Sequence, residues 1–547
     1  MQNTQKKERE FSLRAMIWGV VVGIIMMALI SYMLAVIGLD MNVSPVSIVL
    51  GILLVPLIGG KSNVREITQM QTTASAVASL MAGFSISYIA ALWYSEDFNL
   101  FVPVAIALLS AAAGIVLVTI VRTQFLTDPG LRFPQSIICI TALENVDNFK
   151  GKPAKILIGS VVVGVIFAFL QNILHVISVM FDFSKFLPEG MTMGFMLMPM
   201  LIGLGYVLGP KACAFLFLGS LLSNILLAPI GTSAGWYISP AVDYSQMQNF
   251  NVPLFVGLSL SAMIVPLFKQ WRSIKNAFKI DLQASKESSK EISLKWYIVI
   301  GALCMVGLML IFWLYYGANP FIISALLIVA IFFALIALRV ASETGLGALL
   351  PLALTLTAIT YLLTQDVVVS LMMSFAANCF FSLAGNTMMD LKTGYDVGAN
   401  PQKQVWAQFI GIVPGAICGL VFLYLLINSF GLHSDYATYP FGKMFYAVAT
   451  GLSGEAGDAF HVGRLLIGVG SGAVLSLVGL PAAIFGISLY LAPATIAGIA
   501  LGGLIRWILT KRLGQERAKV YDNASVGLIL GDTLVTIGLT VFTFFSA

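Results

Sequence analysis

The chain has 547 residues, 59% of them hydrophobic and 10% charged, with a net charge of +5. So little charge cannot cover water-soluble domains of this total length, and no segment is polar enough to form one. The 30 basic residues are spread among connecting segments rather than massed on one face, which speaks against a nucleic-acid partner.

A hydrocarbon core of about 30 Å needs about 20 apolar residues per helix, and such windows recur from Leu13 to Phe545. Residues 1–12 form a short polar tail. The first half then carries apolar spans at 13–38, 45–60, 68–92, 101–121, 154–180, 191–208, 211–230 and 251–268. A basic linker, 269–295, follows. The second half carries spans at 296–316, 320–338, 346–364, 367–388, 404–428, 440–455, 463–480, 484–509 and 524–545. The expected fold is an all-α polytopic membrane protein of about 16–17 transmembrane helices.

Lys and Arg are enriched in cytoplasmic loops. With the N-terminus inside and every span crossing, all basic residues except Lys185 and Lys443 fall on the cytoplasmic side. The linker joins them through Lys269, Arg272, Lys275, Lys279, Lys286, Lys290 and Lys295. This places the C-terminus outside, in a cell (plasma or inner) membrane. The segment 440–455 is short and contains glycine, so a re-entrant helix is the alternative there.

The two halves echo each other. Lys61-Ser-Asn-Val-Arg-Glu66 opens the third span and Arg339-Val-Ala-Ser-Glu343 the eleventh, while Gly151-Lys-Pro and Ala399-Asn-Pro open the fifth and thirteenth. An offset of eight spans implies two parallel eight-span repeats, 13–268 and 296–547, the second including a terminal helix.

Polar side chains inside membrane helices face a cavity or a neighbouring helix. Gln71, Ser75 and Ser79 recur every four residues, with Gln69, Thr72 and Thr73 on a second face. Ser374, Asn378, Ser382, Asn386 and Asp390 keep the same interval. Neutral amides and hydroxyls both donate and accept, which suits a peptide-like solute. They equally suit plain helix-to-helix hydrogen bonding. Among the acids, Glu66 and Glu343 are candidates to load a proton, or simply meet a helix dipole. Asp532 near the start of the last span is a third. His175, read inside the fifth span beside Gln171 and Ser178, suits either a relay or a structural role.

Gly59-Gly-Lys-Ser62 lacks the first glycine of a phosphate-binding loop, where Val55 stands. No metal-ligand spacing links the five cysteines, and no cofactor is expected. Small-xxx-small pairs such as Gly415/Gly419, Gly498/Gly502 and Gly527/Gly531 indicate close helix packing.

Leu13-Arg-Ala-Met-Ile-Trp-Gly19, Gln71-Thr-Thr-Ala-Ser-Ala76, Leu131-Arg-Phe-Pro134 and Met198-Pro-Met-Leu-Ile-Gly203 follow one another in the first half. Ser342-Glu-Thr-Gly345, Asp390-Leu-Lys-Thr-Gly394, Tyr490-Leu-Ala-Pro493 and Gly527-Leu-Ile-Leu-Gly531-Asp532 continue the series. Taken together and in this order, these segments resemble the oligopeptide transporter family, which includes the yellow-stripe metal-chelate transporters. The eukaryotic peptide-branch signatures Asn-Pro-Gly and Lys-Ile-Pro-Pro-Arg are absent, which points to the prokaryotic or yellow-stripe-like side. Asp532 stands where the family leads one to expect glutamate.

The resemblance implies a non-enzymatic secondary importer, usually proton-coupled, of short peptides or peptide-like metal chelates. The substrate would meet Gln69, Gln71, Thr72, Ser75, Asn378, Ser382 and Asn386. Glu66, Glu343, Asp532 or His175 would carry the proton, and Arg132, Phe133 and Pro134 would shape a broken helix at the cytoplasmic mouth. Besides substrate, coupling ion and bilayer, a second copy in a homodimer is the expected partner. The competing class is an ion or small-solute channel or a non-transporting scaffold, yet no charged or carbonyl-lined filter is evident.

Overall fold

The computed structural model describes residues 10–546 apart from 37, 39–42, 59, 61, 96–98, 129–130, 132, 145–151, 242–243, 270–293, 345–348, 434–436, 455–460 and 520. In chain order come α1 (Leu13–Val36), α2 (Val43–Leu54), α3 (Val64–Ser95), α4 (Phe101–Leu126), α5 (Pro134–Glu144) and α6 (Lys152–Asn172). A small antiparallel hairpin, β1 (Met180–Asp182) and β2 (Gly194–Met196), precedes α7 (Pro199–Leu208), α8 (Pro210–Ser233) and α9 (Tyr244–Lys269). Next are α10 (Leu294–Leu314), α11 (Pro320–Thr344), α12 (Leu349–Thr364), α13 (Val367–Asp396) and α14 (Pro401–Phe430). The last are α15 (Pro440–Ser453), α16 (Val462–Leu477), α17 (Ala482–Tyr490), α18 (Pro493–Leu513), α19 (Gln515–Lys519) and α20 (Asp522–Ser546). Among the described residues, nine helices are long and apolar enough to cross a membrane. The chain is an all-α polytopic membrane protein.

Contacts divide it into two units, each drawing on both halves of the sequence. Unit 1 is Met1–Leu34, Gly38–Phe149 and Lys269–Tyr424; unit 2 is Ala35–Ile37, Lys150–Phe268 and Leu425–Ala547.

Unit 1 is built around α3 and α13. Every residue from Glu66 to Trp93 is buried, as is every residue from Val369 to Ala384. Glycines let neighbours approach α3. A Cβ on Gly19 of α1 would stand 2.8 Å from the Met70 carbonyl, and one on Gly415 of α14 would stand 2.7 Å from the Val77 carbonyl. On α13, Gly114 of α4 meets the Phe380 carbonyl in the same way. A π turn at Phe84–Tyr88 widens α3 midway.

In unit 2, α20 packs on α6 through Gly164 and Gly531, and α18 packs on α7 through Gly502 and Gly205. A second π turn, Leu222–Leu227, interrupts α8 just before Pro229, whose ring nitrogen cannot donate to the preceding turn.

Several apolar windows differ from the elements they cover. The window 154–180 ends as helix at Asn172, and the hairpin occupies part of 180–196, so α7 is a ten-residue helix. The window 484–509 is two helices, because Ala492 is extended and Pro493 starts a new one. Arg339–Thr344 closes α11 rather than opening the next span. Glu343 therefore lies in a last helical turn while Glu66 lies in a first, and the two positions are not equivalent.

Candidate functional site

The two sequence stripes meet inside unit 1. Residues four apart stack along a helix face, so α3 presents Gln71, Ser75 and Ser79 to the α13 row ending in Asp390. Ser87 Oγ lies 3.0 Å from Ser374 Oγ and accepts from Asn378 Nδ2 at 2.6 Å. Ser382 Oγ donates to the Ser79 carbonyl at 2.9 Å, and Asn386 donates to the Ser79 hydroxyl. Gln71 Nε2 donates to the Asp390 carboxylate at 2.5 Å. The helices thus run antiparallel with a polar seam between them. Gln71, Ser75, Asn378 and Ser382 are all buried in it, whereas Asn386 is half-buried. Next to Asn386, a Cβ on Gly385 would meet nothing within 4 Å, so α13 has open space beside it at that turn.

Asp390, 1% exposed, is the centre of this network. Besides Gln71 it accepts from Ser44 Oγ at 3.2 Å and Gln408 Nε2 at 2.8 Å, and it is also hydrogen-bonded by Ser75. None of these four partners is a cation. Gln404 Nε2 completes the cluster, donating to the Asp390 carbonyl at 3.0 Å and to Thr72 Oγ1 at 3.3 Å. Among the described residues, the side-chain oxygens of Gln71, Gln404 and Gln408 have no hydrogen-bond partner, nor does either amide atom of Gln69. Buried groups of that kind are rare and costly.

The other acids sit differently. Glu66 follows its N-cap Asn63 in the first turn of α3. Arg14 grips both its oxygens, Nε to Oε1 and Nη2 to Oε2 at 2.7 Å each, and Ser12 adds a hydroxyl. In unit 2, Asp532 is buried in α20 and accepts from the backbone N–H of Met200 at 2.9 Å, in the first turn of α7 where a helix dipole favours negative charge. The Glu343 side chain and Arg132 lie outside what the structure describes. His175 is not within a helix: α6 ends at Asn172, and His175 is exposed at φ +51. Gln171, read on the same face, turns instead to the Leu197 carbonyl at 2.5 Å. Phe133 is buried at φ +46, its N–H donating to the Ser342 carbonyl at 2.8 Å, and Pro134 begins α5 after the break that follows α4.

Gln404, Gln408 and Ser44 were absent from the sequence candidates. The two glutamines keep the same four-residue interval in an apolar helix, so the stripe rule could have found them; Ser44, a lone hydroxyl, gives no such signal. A second amide cluster also escaped that reading. At the π turn of α8, Asn224 accepts from Thr192 Oγ1 at 3.0 Å, and Asn251 Nδ2 donates to Ser223 Oγ at 3.2 Å and the Leu489 carbonyl at 2.8 Å.

The chain can be compared with known proteins along almost its whole length. A "Putative oligopeptide transporter" of Haemophilus influenzae is 22% identical, over 87% of this chain and 86% of that protein. Another "Putative oligopeptide transporter", of Saccharomyces cerevisiae, is 23% identical, over 70% of this chain and 63% of that protein. The family model described as OPT oligopeptide transporter protein matches residues 10–543. With that match added to the membrane-spanning helices, the chain belongs to the oligopeptide transporter family and is a transporter rather than an enzyme.

Proposed function

We propose that the chain imports short peptides or peptide-like metal chelates across a cell membrane by alternating access, driven by protons, with its N-terminus in the cytoplasm. The observation that carries the coupling is Asp390, an intramembrane carboxyl whose partners are amides and hydroxyls. An ionisable group so placed marks an ion or proton pathway by default. Ionised, it accepts from the amide nitrogens of Gln71 and Gln408. Protonated, it must donate, and a half-turn of either amide offers the oxygen that now has no partner. One proton thereby rewrites the hydrogen bonds that tie α3 and α14 to α13. Asp532 is the counterpart acid in unit 2. Glu66 is less suited, since neutralising it breaks two charge-assisted bonds to Arg14.

The seam is closed across most of its length, so substrate binding at Gln71, Thr72, Ser75, Asn378 and Ser382 requires α3 and α13 to part. Asn386 beside the open space at Gly385 would make first contact, and Gln69 offers an amide with both atoms unsatisfied.

Purified protein in liposomes with an inward proton gradient is expected to concentrate a tripeptide, a pentapeptide or an iron chelate, and to lose this on adding a protonophore. Asp390→Asn is expected to lower accumulation at least about tenfold while preserving exchange of substrate at equal concentration on both sides. Accumulation that survives either treatment overturns the coupling scheme.

A further inference from the structure

In unit 2, α8 and α18 lie antiparallel: Gly209 stands beside Arg506, and a Cβ on Gly503 would meet the Cys213 sulfur at 2.6 Å. Alongside this close approach, α8, α18 and the hairpin line a cavity of about 650 Å³. Small residues hollow its walls, Ala214 on α8 and Ala497 and Ala500 on α18. Phe183 and Phe195 of the hairpin close one end and Trp507 flanks the other. No lining residue is charged. From Ala497 to Trp507 the groove follows ten residues of helix, about 15 Å.

Its ends differ in charge. At the Trp507 end, Lys211 follows the lining residue Pro210, and Lys511 sets its Nζ 5.1 Å from the Trp507 ring centroid. Both lysines are exposed, as is Arg512. The hairpin end carries Asp182, Lys185 and Glu189, whose charges nearly cancel. Tryptophan beside lysine is the usual furniture of a membrane–water boundary, and long lysines reach from apolar surroundings to phosphate level.

We propose that this groove holds one acyl chain of an anionic phospholipid, with the headgroup phosphate between Lys211 and Lys511. A peptide substrate fits poorly, because the walls offer almost no hydrogen-bonding groups for its backbone. The cationic end selects the headgroup, and basic clusters at a membrane surface attract anionic lipid. This assignment does not depend on what the chain transports.

Delipidated full-length protein in detergent, titrated with phosphatidylglycerol or phosphatidylcholine of identical chains, tests it by native mass spectrometry. One phosphatidylglycerol is expected to bind at least about tenfold more tightly than phosphatidylcholine. The surface double variant Lys211→Gln/Lys511→Gln is expected to erase the preference without changing the lipid-free melting temperature. Phosphatidylglycerol with brominated chains should quench part of the tryptophan fluorescence, and that part should vanish in Trp507→Phe. Equal binding of the two lipids, a preference that survives the double variant, or quenching unchanged in Trp507→Phe overturns the assignment. Glycerol phosphate binding as tightly as the lipid removes the acyl chain from it and overturns it too.

Discussion

Glu66 is held by Arg14 through two bonds of 2.7 Å, whereas the described side-chain hydrogen-bond partners of the Asp390 carboxylate are amides and hydroxyls. The first arrangement is a fixed charge pair, so removing one partner strands the other. Arg14→Gln leaves an anion that is 1% exposed without its cation, at a cost of about 3 kcal/mol, the low end for buried pairs because Arg14 still touches solvent. Its melting temperature in detergent should fall, and adding Glu66→Gln should restore much of the loss. Glu66→Gln alone should leave proton-driven accumulation intact, while Asp390→Asn abolishes it. At this scale the sequence showed which polar residues share a helix face, because four-residue spacing is a geometric fact. It did not show which acid has a cation beside it. Arg14 and Glu66 lie 52 positions apart, and only the packed structure brings them together.

Packing between helices depends on where a side chain is missing. A Cβ on Gly415 would stand 2.7 Å from a carbonyl oxygen of α3, while one on Gly470 of α16 would meet nothing within 4 Å. The same substitution should therefore have opposite signs. Gly415→Ala pushes α14 off α3 and is expected to cost about 1–3 kcal/mol. Gly470→Ala gains helix propensity, up to about 1 kcal/mol. Thermal unfolding of both variants in one detergent checks the contrast. Long apolar helices such as α4 and α10 were legible because hydrophobic length is written locally. Breaks were not. Apolar windows run unchanged across Leu491–Pro493 and into the 180–196 hairpin, since hydropathy records burial in lipid and not continuity of backbone hydrogen bonds. Pro493 was the available signal, as a proline favours an extended residue before it.

Over the whole molecule, the chain passes from unit 1 to unit 2 and back, leaving unit 1 after Phe149, returning at Lys269 and leaving again after Tyr424. The two halves proposed from sequence and the two compact units are thus different partitions of the same chain. The second was invisible in one sequence, because it depends on contacts between helices hundreds of residues apart. The charge pattern gives a separate, testable statement about orientation. Four of the five cysteines are buried and Cys418 is half-buried, so added cysteines can be labelled over a low background. Ser233→Cys should react with an impermeant maleimide on intact cells. Ser288→Cys, in the basic linker, should react only after permeabilisation. The reverse pattern inverts the proposed topology.

Helix α13 has 30 residues, about 45 Å of rise, against a hydrocarbon thickness of about 30 Å. It must tilt or protrude, and its C-terminal end carries the partly exposed Lys392–Asp396 pair suited to a headgroup zone. Asp390 precedes Asp396 by six residues, about 9 Å along the axis. With Lys392 on the cytoplasmic side of the proposed topology, a proton entering from outside would cross most of the membrane, and most of the voltage drop, before reaching that carboxyl.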